Sequence, residues 1–141
     1  MVRLHHDLDP ARFIAAAPDT ERGYADYFAT QLDRPGVVLL VAERAGKVVG
    51  YAYAGQEGYD YMSLRGPAGA LYDIVVDPAH RGGGIGRQLL EAALAALKAG
   101  GAPRVLLSTA EGNTAAQRLF LSAGFRPTMR EMARELGDEP T

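Results

Sequence analysis

The stretch that decides the fold reads Val75-Val76-Asp77-Pro78-Ala79-His80-Arg81-Gly82-Gly83-Gly84-Ile85-Gly86-Arg87-Gln88-Leu89-Leu90. A β-branched run changes into an arginine and glycines and then directly into an apolar pattern of helical period, which predicts a strand, a tight turn and a helix N-terminus. Glycines let backbone N–H groups approach a ligand, and a helix start adds unpaired N–H donors and a partial positive charge. Because Arg81 and Arg87 add guanidinium groups that match phosphate oxygens, the stretch predicts a binding site for an anion such as a pyrophosphate.

Two familiar phosphate-binding sequences do not fit this turn. A P-loop requires Lys-Ser or Lys-Thr after its last glycine, where this chain has Arg87-Gln88. The dinucleotide-binding sequence G-x-G-x-x-G requires a third glycine where this chain has Arg87 or Leu89. Since Glu111 follows the next hydrophobic run and imitates an acid that binds ribose, a nucleotide or NAD(P) binder stays open as an alternative.

The same turn resembles motif A of the GNAT superfamily of acyl-CoA-dependent N-acetyltransferases, Q/R-x-x-G-x-G/A. The segment Arg81-Gly82-Gly83-Gly84-Ile85-Gly86 matches that motif at every fixed position. Downstream, Asn113-Thr114-Ala115-Ala116-Gln117-Arg118-Leu119-Phe120-Leu121-Ser122-Ala123-Gly124-Phe125 resembles motif B, in which an asparagine opens a helix that ends at a Gly-Phe pair. The spacing of the two motifs is typical of the family, and Val38–Tyr53 is more loosely similar to its central hairpin.

The remaining patterns predict an α/β architecture, a mixed β-sheet flanked by about four helices, as the resemblance to the GNAT fold also implies. Strands and helices alternate only in the second half of the chain, after a hairpin. The predicted helices run from Asp9-Pro10 to about Ala17, from near Asp19 to before Pro35, from Ile85 to Lys98, and from Thr114 to Gly124 with a capping box between Thr114 and Gln117. The predicted strands are Val37–Ala42, Val48–Tyr53, Ala70–Val76, Arg104–Thr109 and Phe125 to about Met132.

Length and composition predict one domain over residues 1–141. With 48% hydrophobic residues, 23% charged residues and a net charge of −2, the chain shows no electrostatic footprint for nucleic acid. Cysteine is absent, which excludes disulfides, thiolate metal sites and a cysteine nucleophile. The sequence shows neither a membrane-spanning run, nor a signal peptide, nor a set of ligands with metal spacing, so we expect a cytoplasmic protein without membrane contact or metal.

The resemblance to the GNAT superfamily implies acetyl-CoA as the cofactor. It implies that the pantetheine arm binds the backbone of Ile74, Val75 and Val76, and that a backbone N–H near Ile74 stabilises the oxyanion of the thioester. Motif B implies further cofactor contacts from Asn113 and Phe120. The pyrophosphate would bind Arg81, Gly82, Gly83, Gly84, Ile85, Gly86 and Arg87.

The resemblance also implies direct acetyl transfer to a primary amine, of a small molecule or a peptide. An alkyl amine is almost wholly protonated at neutral pH, and freeing it costs about 4–5 kcal/mol, so we expect a carboxylate base. Asp73 matches an acidic residue that many family members carry and is the first candidate, although pairing with a neighbour would explain it equally well. Glu43 and Glu111 are weaker candidates.

Phe120 departs from the family, because motif B usually carries there a tyrosine that protonates the departing CoA sulfur. Tyr72, Tyr59 or Tyr61 would then be the replacement acids, or the thiolate leaves unassisted. The departure keeps open a second function, a CoA-binding regulatory module without efficient chemistry.

We expect substrate contacts from Gln56–Gly69, with Tyr59, Tyr61 and Arg65, although a surface loop is an equally good interpretation. The resemblance allows a homodimer without fixing its mode.

Overall fold

The computed structural model describes residues 1–137, where the chain forms four α-helices and one mixed sheet of four strands. It divides into two compact units, Ala17–Thr109 and a unit that combines Met1–Ala16 with the chain from Ala110 onward. The single domain expected from length stays a prediction. In chain order the elements are α1 Val2–Leu8, α2 Thr20–Gln31, β1 Val37–Arg44, β2 Lys47–Glu57, β3 Ala68–Val76, α3 Ile85–Ala99, β4 Val105–Leu107 and α4 Thr114–Ser122, with a 3₁₀ turn at Pro78–His80 before α3.

The sheet has the order β1-β2-β3-β4 and is mixed, as predicted. β1, β2 and β3 pair antiparallel, and β4 pairs parallel with β3 after the crossover through α3. The turn of the β1–β2 hairpin lies at Ala45-Gly46, with φ of 52° and 75°, which is the left-handed conformation that glycine adopts without strain. The hairpin prediction is confirmed, and β2 continues beyond the predicted end to Glu57.

Helix α3 covers one face of the sheet through the apolar stripe predicted for it. Ile85, Leu89, Leu90, Ala93 and Leu97 are buried. Two glycines on the sheet allow the close approach: a Cβ at Gly50 would lie 3.2 Å from Leu89 Cδ1, and one at Gly69 would lie 3.1 Å from Leu97 Cδ1. The core between α3 and the sheet therefore fixes the position of the helix N-terminus at the end of β3.

Helix α2 packs on the opposite face. The ring of Phe28 contacts the rings of Tyr51 and Tyr53 edge-on, at centroid distances of 5.4 and 5.3 Å. Tyr51 and Tyr53 alternate along β2 with Ala52 and Ala54, which are fully buried, because successive side chains of a strand point to opposite faces. One face of the sheet is thus aliphatic, and the other is rich in tyrosine.

The first predicted helix was misplaced. The helix α1 precedes Asp9, and Asp9 ends it; the chain from Asp9 makes only one turn, in which the Phe13 N–H donates to the Asp9 carbonyl at 3.0 Å. Residues 14–17 have no regular structure, and Ile14 is exposed. A proline after Asp9 suits a helix start, but without a packed apolar face the helix does not propagate.

The cap of α4 also differs from the predicted box of Thr114 and Gln117. Asn113 is the N-cap, and its side-chain oxygen accepts from the Ala116 N–H at 3.2 Å. The Gln117 amide donates instead to the carbonyls of Ala110 and Glu111. The predicted stop at Gly124 is confirmed by its φ of 94°.

The strand predicted from Phe125 to about Met132 is absent, since residues 125–136 have no regular structure. Met129 and Met132 are more than four-fifths exposed, and Pro127 lacks the N–H that a ladder requires. Likewise β4 is confined to Val105–Leu107, shorter than the run predicted from Arg104 to Thr109.

Candidate functional site

The turn between β3 and α3 has the backbone that its glycines predicted. Gly82 and Gly84 both have φ of 83°, and a Cβ on either would meet no atom of residues 1–137 within 4 Å. Arg81 crosses the base of the turn, where its Nε donates to the Val76 carbonyl at 3.1 Å. The glycine turn, residues 81–84, is therefore an exposed concave backbone with open space in front of it.

The N-terminus of α3 follows the turn directly. Gly84 is its N-cap, the first helical bond runs from the Gln88 N–H to the Gly84 carbonyl at 3.0 Å, and no side chain of the described chain caps it. The first turn carries no acidic residue, so nothing offsets the positive end of the helix dipole there. Arg87 lies in this turn and bonds Glu91 at 3.1 Å. Of the residues predicted to bind pyrophosphate, Ile85 is buried in the core, and Arg81 to Gly84 and Arg87 lie exposed at this helix start, which suits an anion.

The adjoining strand β3 changes partners along its length. Its pairing with β4 ends at Leu71–Leu107, whereas its pairing with β2 continues to Gly50–Val76. Within the described chain, the edge of β3 from Tyr72 to Val76 that faces away from β2 therefore has no strand partner. Ile74, Val75 and Val76, predicted to bind pantetheine, lie on this edge, which no strand of the described chain occupies and where an extended arm could add as a further strand.

A β-bulge interrupts the pairing of β2 with β3 at Tyr72. Tyr53 pairs with Asp73 and Ala54 with Leu71, so Tyr72 has no opposite residue. Both Tyr72 and Asp73 consequently contact residues of the tyrosine-rich face: the rings of Tyr72 and Tyr53 lie 4.9 Å apart, and the Tyr51 hydroxyl donates to Asp73 Oδ2 at 3.0 Å.

Asp73 is half-buried among tyrosines. Burial raises the pKa of Tyr51, and the Asp73 carboxylate raises that pKa further by its charge and by the hydrogen bond. The pKa of Tyr24 is raised by burial and by the same carboxylate. Both phenols stay protonated at neutral pH, so the Tyr51 hydroxyl is a neutral donor to the Asp73 side chain.

A pocket of about 490 Å³ lies between the end of α2 and the tyrosine-rich face. The Tyr27 and Tyr53 hydroxyls lie 2.9 Å apart, and Tyr53 also donates to Gln31 Oε1 at 3.2 Å. Burial and the bond to Tyr27 raise the pKa of Tyr53 to about 12. The lining includes Tyr27, Gln31, Arg34, Tyr53, Gln56 and Tyr72.

Glu57 connects Tyr72 to the following loop. It accepts from the Tyr72 hydroxyl at 2.6 Å and from the Arg65 guanidinium. Burial, followed by this bond to Glu57, raises the pKa of Tyr72 and makes it a weaker proton donor. The rings of Tyr59 and Tyr61 stack on each other and are exposed.

The profile of the Acetyltransferase (GNAT) family matches residues 1–125. The chain belongs to this family.

Two relatives show how far the similarity extends. Mycothiol acetyltransferase of Thermobispora bispora is 46% identical over 91 residues, which are 62% of this chain and 29% of the relative. L-methionine sulfoximine/L-methionine sulfone acetyltransferase of Salmonella typhimurium is 35% identical over 111 residues, which are 78% of this chain and 61% of that enzyme. The chain thus spans less than a third of the mycothiol acetyltransferase and about three fifths of the Salmonella enzyme.

The solved structures confirm the fold. AAC(6')-Iy in complex with the bisubstrate analogue CoA-S-monomethyl-acetylneamine superposes with a TM-score of 0.68 at 22% identity, over 93% of this chain and 85% of that one. The mixed sheet with four helices is therefore the GNAT fold, as the two motifs predicted.

Motif B of this GNAT chain lies in the other compact unit. Asn113 caps α4, and Phe120 is buried with its ring 5.9 Å from that of Phe125. Glu111, one of the weaker candidate bases, belongs to the same unit and lies in the turn before α4. Glu43 is exposed on β1, and its register position in the sheet is not the one that Asp73 occupies.

Sequence reasoning missed the tyrosine-rich face as a site. It named Asp73 and Tyr72 singly and gave Tyr51 and Tyr53 no role beyond strand β2, although tyrosines at alternate positions of that strand were visible as a signal. Among residues 1–137, no group of His, Asp or Glu side chains is arranged to hold a metal, and no helix is long and apolar enough to cross a membrane.

Proposed function

We propose that this chain is an acetyl-CoA-dependent N-acetyltransferase that transfers the acetyl group directly to a primary amine. The observation that carries the proposal is the continuity of two features: the glycine turn at the uncapped start of α3 and the unpaired edge of β3 beside it. A phosphate-bearing ligand with an extended arm matches both. The family membership supports the same cofactor.

The residues present fit acetyl-CoA, because open space lies over Gly82 and Gly84 where a Cβ would meet no described atom within 4 Å. When bound, acetyl-CoA supplies an activated acyl group as a thioester. Arg81 to Arg87 would hold its pyrophosphate, and the β3 edge at Ile74 to Val76 would orient its arm. A backbone N–H near Ile74 would be the donor to the thioester oxygen, an effect of about 3 kcal/mol for a well-placed donor.

Asp73 takes the proton of the acceptor ammonium, directly or through water. Its carboxylate is held by Tyr51, and the bulge aims it to the same face as the pocket. Positioned bases of this kind contribute about 10²–10⁴ in rate. Tyr72 lies one residue away and remains protonated, but its bond to Glu57 opposes donation, so we assign it an orienting role unless acceptor binding breaks that bond.

Calorimetry with acetyl-CoA and release of CoA thiol across a panel of amines test the proposal together. We expect binding and turnover with at least one class of amine. Binding without turnover on any acceptor would favour the second function, a CoA-binding regulatory module, for which the phenylalanine at position 120 is the specific observation. Stabilisation by NAD(P)H and not by CoA would favour the dinucleotide binder.

We also infer that the protein acts in the cytoplasm as a homodimer. Dimers are frequent in the family, and exposed Met129, Met132 and Leu136 offer apolar surface beyond α4. Light scattering of the purified chain tests the dimer, and fractionation of the source cells tests the location.

A further inference from the structure

The pocket beside Tyr72 has a charge that the proposed reaction does not require. Arg34 is the single formally charged residue among the described residues that line it. An acceptor amine is itself cationic before it loses a proton, so a lone arginine is an unfavourable partner for a simple amine and a favourable one for an anionic group.

We propose that this pocket binds the acceptor and selects small amines that also carry a carboxylate, as an α-amino acid does. The proposal rests on the acetyltransferase function proposed above and names the substrate class of that site. Arg34 would bind the carboxylate, and the amine would lie toward Tyr72 and Asp73.

The position of the Arg34 guanidinium supports this assignment. Its positive charge lowers the pKa of Tyr53, against the larger effects that raise it, so the guanidinium lies within electrostatic reach of a hydroxyl inside the pocket. Within residues 1–137 it makes no ion pair with a carboxylate. An arginine with this freedom can form two parallel bonds to a ligand carboxylate.

The remaining lining carries no formal charge, and its polar side chains are neutral. The hydroxyls of Tyr27 and Tyr53 and the amide of Gln31 form a connected network, and a phenol with a pKa of about 12 carries no charge at neutral pH. Glu57, the acid that accepts from the Tyr72 hydroxyl, is already paired with Arg65. A polycationic acceptor would therefore find no free carboxylate in this lining.

The geometry of β3 places the reactive end of the pocket. Tyr72 lines the pocket. From its neighbour Asp73 to Val76, β3 pairs with β2 on one edge and has no strand partner on the other edge within the described chain. The bulge brings both side chains to the tyrosine-rich face, so the pocket and the arm-binding edge adjoin at Tyr72, with Asp73 as the next residue of the strand. A volume of about 490 Å³ suits a compact acceptor.

Matched ligands separate the carboxylate from the rest of the acceptor. Isothermal calorimetry in the presence of CoA would compare L-alanine, L-serine, L-leucine and L-methionine with their carboxamides and their decarboxylated amines. We expect the acids to bind about tenfold or more tightly than their amides for at least one side chain, the effect of one charged hydrogen-bonded pair. Equal affinities, or no binding of any acid, would overturn the proposal.

Variants assign the preference to Arg34. Arg34→Gln should remove the difference between acid and amide, and Arg34→Lys should retain part of it. Arg22→Gln, on the exposed surface of α2 outside the pocket lining, is the matched control and should keep the full difference. A preference that survives in Arg34→Gln would refute the assignment.

The two proposals fail in distinguishable ways. If the chain binds no CoA or acetyl-CoA, the acetyltransferase function fails and the pocket proposal with it. If acetyl-CoA binds and amines are acetylated without preference for a carboxylate, only the substrate class is wrong.

Discussion

The glycine turn and the tyrosine-rich face lie at the two ends of one short stretch of β3, yet they are built in opposite ways. The turn consists of consecutive residues from Arg81 to Gly84 and acts through its backbone. The face combines side chains of α2, β2 and β3 that are far apart in the chain, such as Tyr27 and Tyr72. The comparison teaches that the proposed cofactor site is a local conformation, whereas the proposed acceptor site requires the assembled sheet.

If the two regions have separate tasks, the largest effect should come from the turn. Gly84→Glu places bulk and negative charge in front of an anion site and forces a side chain into a φ of 83°. We expect acetyl-CoA binding to be abolished in calorimetry. Gly46→Glu, at a φ of 75° in the β1–β2 turn, adds the same charge and a comparable backbone strain of about 1–2 kcal/mol away from the turn, and it should bind normally. Unaltered affinity in Gly84→Glu would show that the turn is not the cofactor site.

The second-largest effect should come from a substitution on the tyrosine-rich face, which should lower turnover and leave acetyl-CoA binding at the glycine turn intact. Asp73→Asn keeps an acceptor for the Tyr51 hydroxyl but removes the base, so turnover should fall about 10²–10⁴-fold with acetyl-CoA affinity unchanged. Asp26→Asn, exposed on α2, is the control and should be fully active. Turnover by Asp73→Asn within twofold of the parent would assign the base elsewhere, and weakened acetyl-CoA binding would show that the two regions are not separate.

A smaller effect should come from restoring the family's tyrosine in motif B. Phe120→Tyr adds a proton donor for the leaving sulfur, and we expect turnover to rise about tenfold, below the usual range for general acids because a thiolate leaves readily. The hydroxyl enters a buried site beside Phe125 and should reduce folding stability by about 1–3 kcal/mol unless it finds a partner. Thiol release and thermal unfolding measure the two effects. An unchanged rate would indicate that another group, or none, protonates the sulfur.

The smallest effect concerns the tyrosine network itself. The pKa of Tyr53 is raised to about 12, above the ordinary value near 10, so its contribution to stability is complete below about pH 10 and is lost as the pH rises toward 12. Between pH 9 and 11 the parent should lose more stability than Tyr53→Phe, by on the order of 1 kcal/mol. Thermal unfolding at stepped pH measures this difference in slope. Parallel curves would contradict the raised pKa, whatever the absolute stability of the variant.

The sequence was least informative at the ends of the chain. A helix after Asp9 and a strand after Phe125 each had the right residue types, but Ile14, Met129 and Met132 are exposed, so no packing stabilises either element. Helix α3 was predicted correctly because its apolar stripe is long and regular and its end is marked by Gly100-Gly101. The cap of α4 was misassigned by one residue, since Asn113 and Thr114 are both good caps and only the backbone decides between them.

By itself the sequence determined the glycine turn, the helix that follows it and the family, because glycine conformations and helix starts depend on a few adjacent residues. The tertiary structure decided where β4 leaves β3, and it placed a bulge at Tyr72 that brings Tyr72 and Asp73 to one face. It also decided that Arg34 shares a pocket with Tyr53 and Tyr72. Strand register and the packing of α2 arise from contacts between distant segments, and a local pattern contains no information about them.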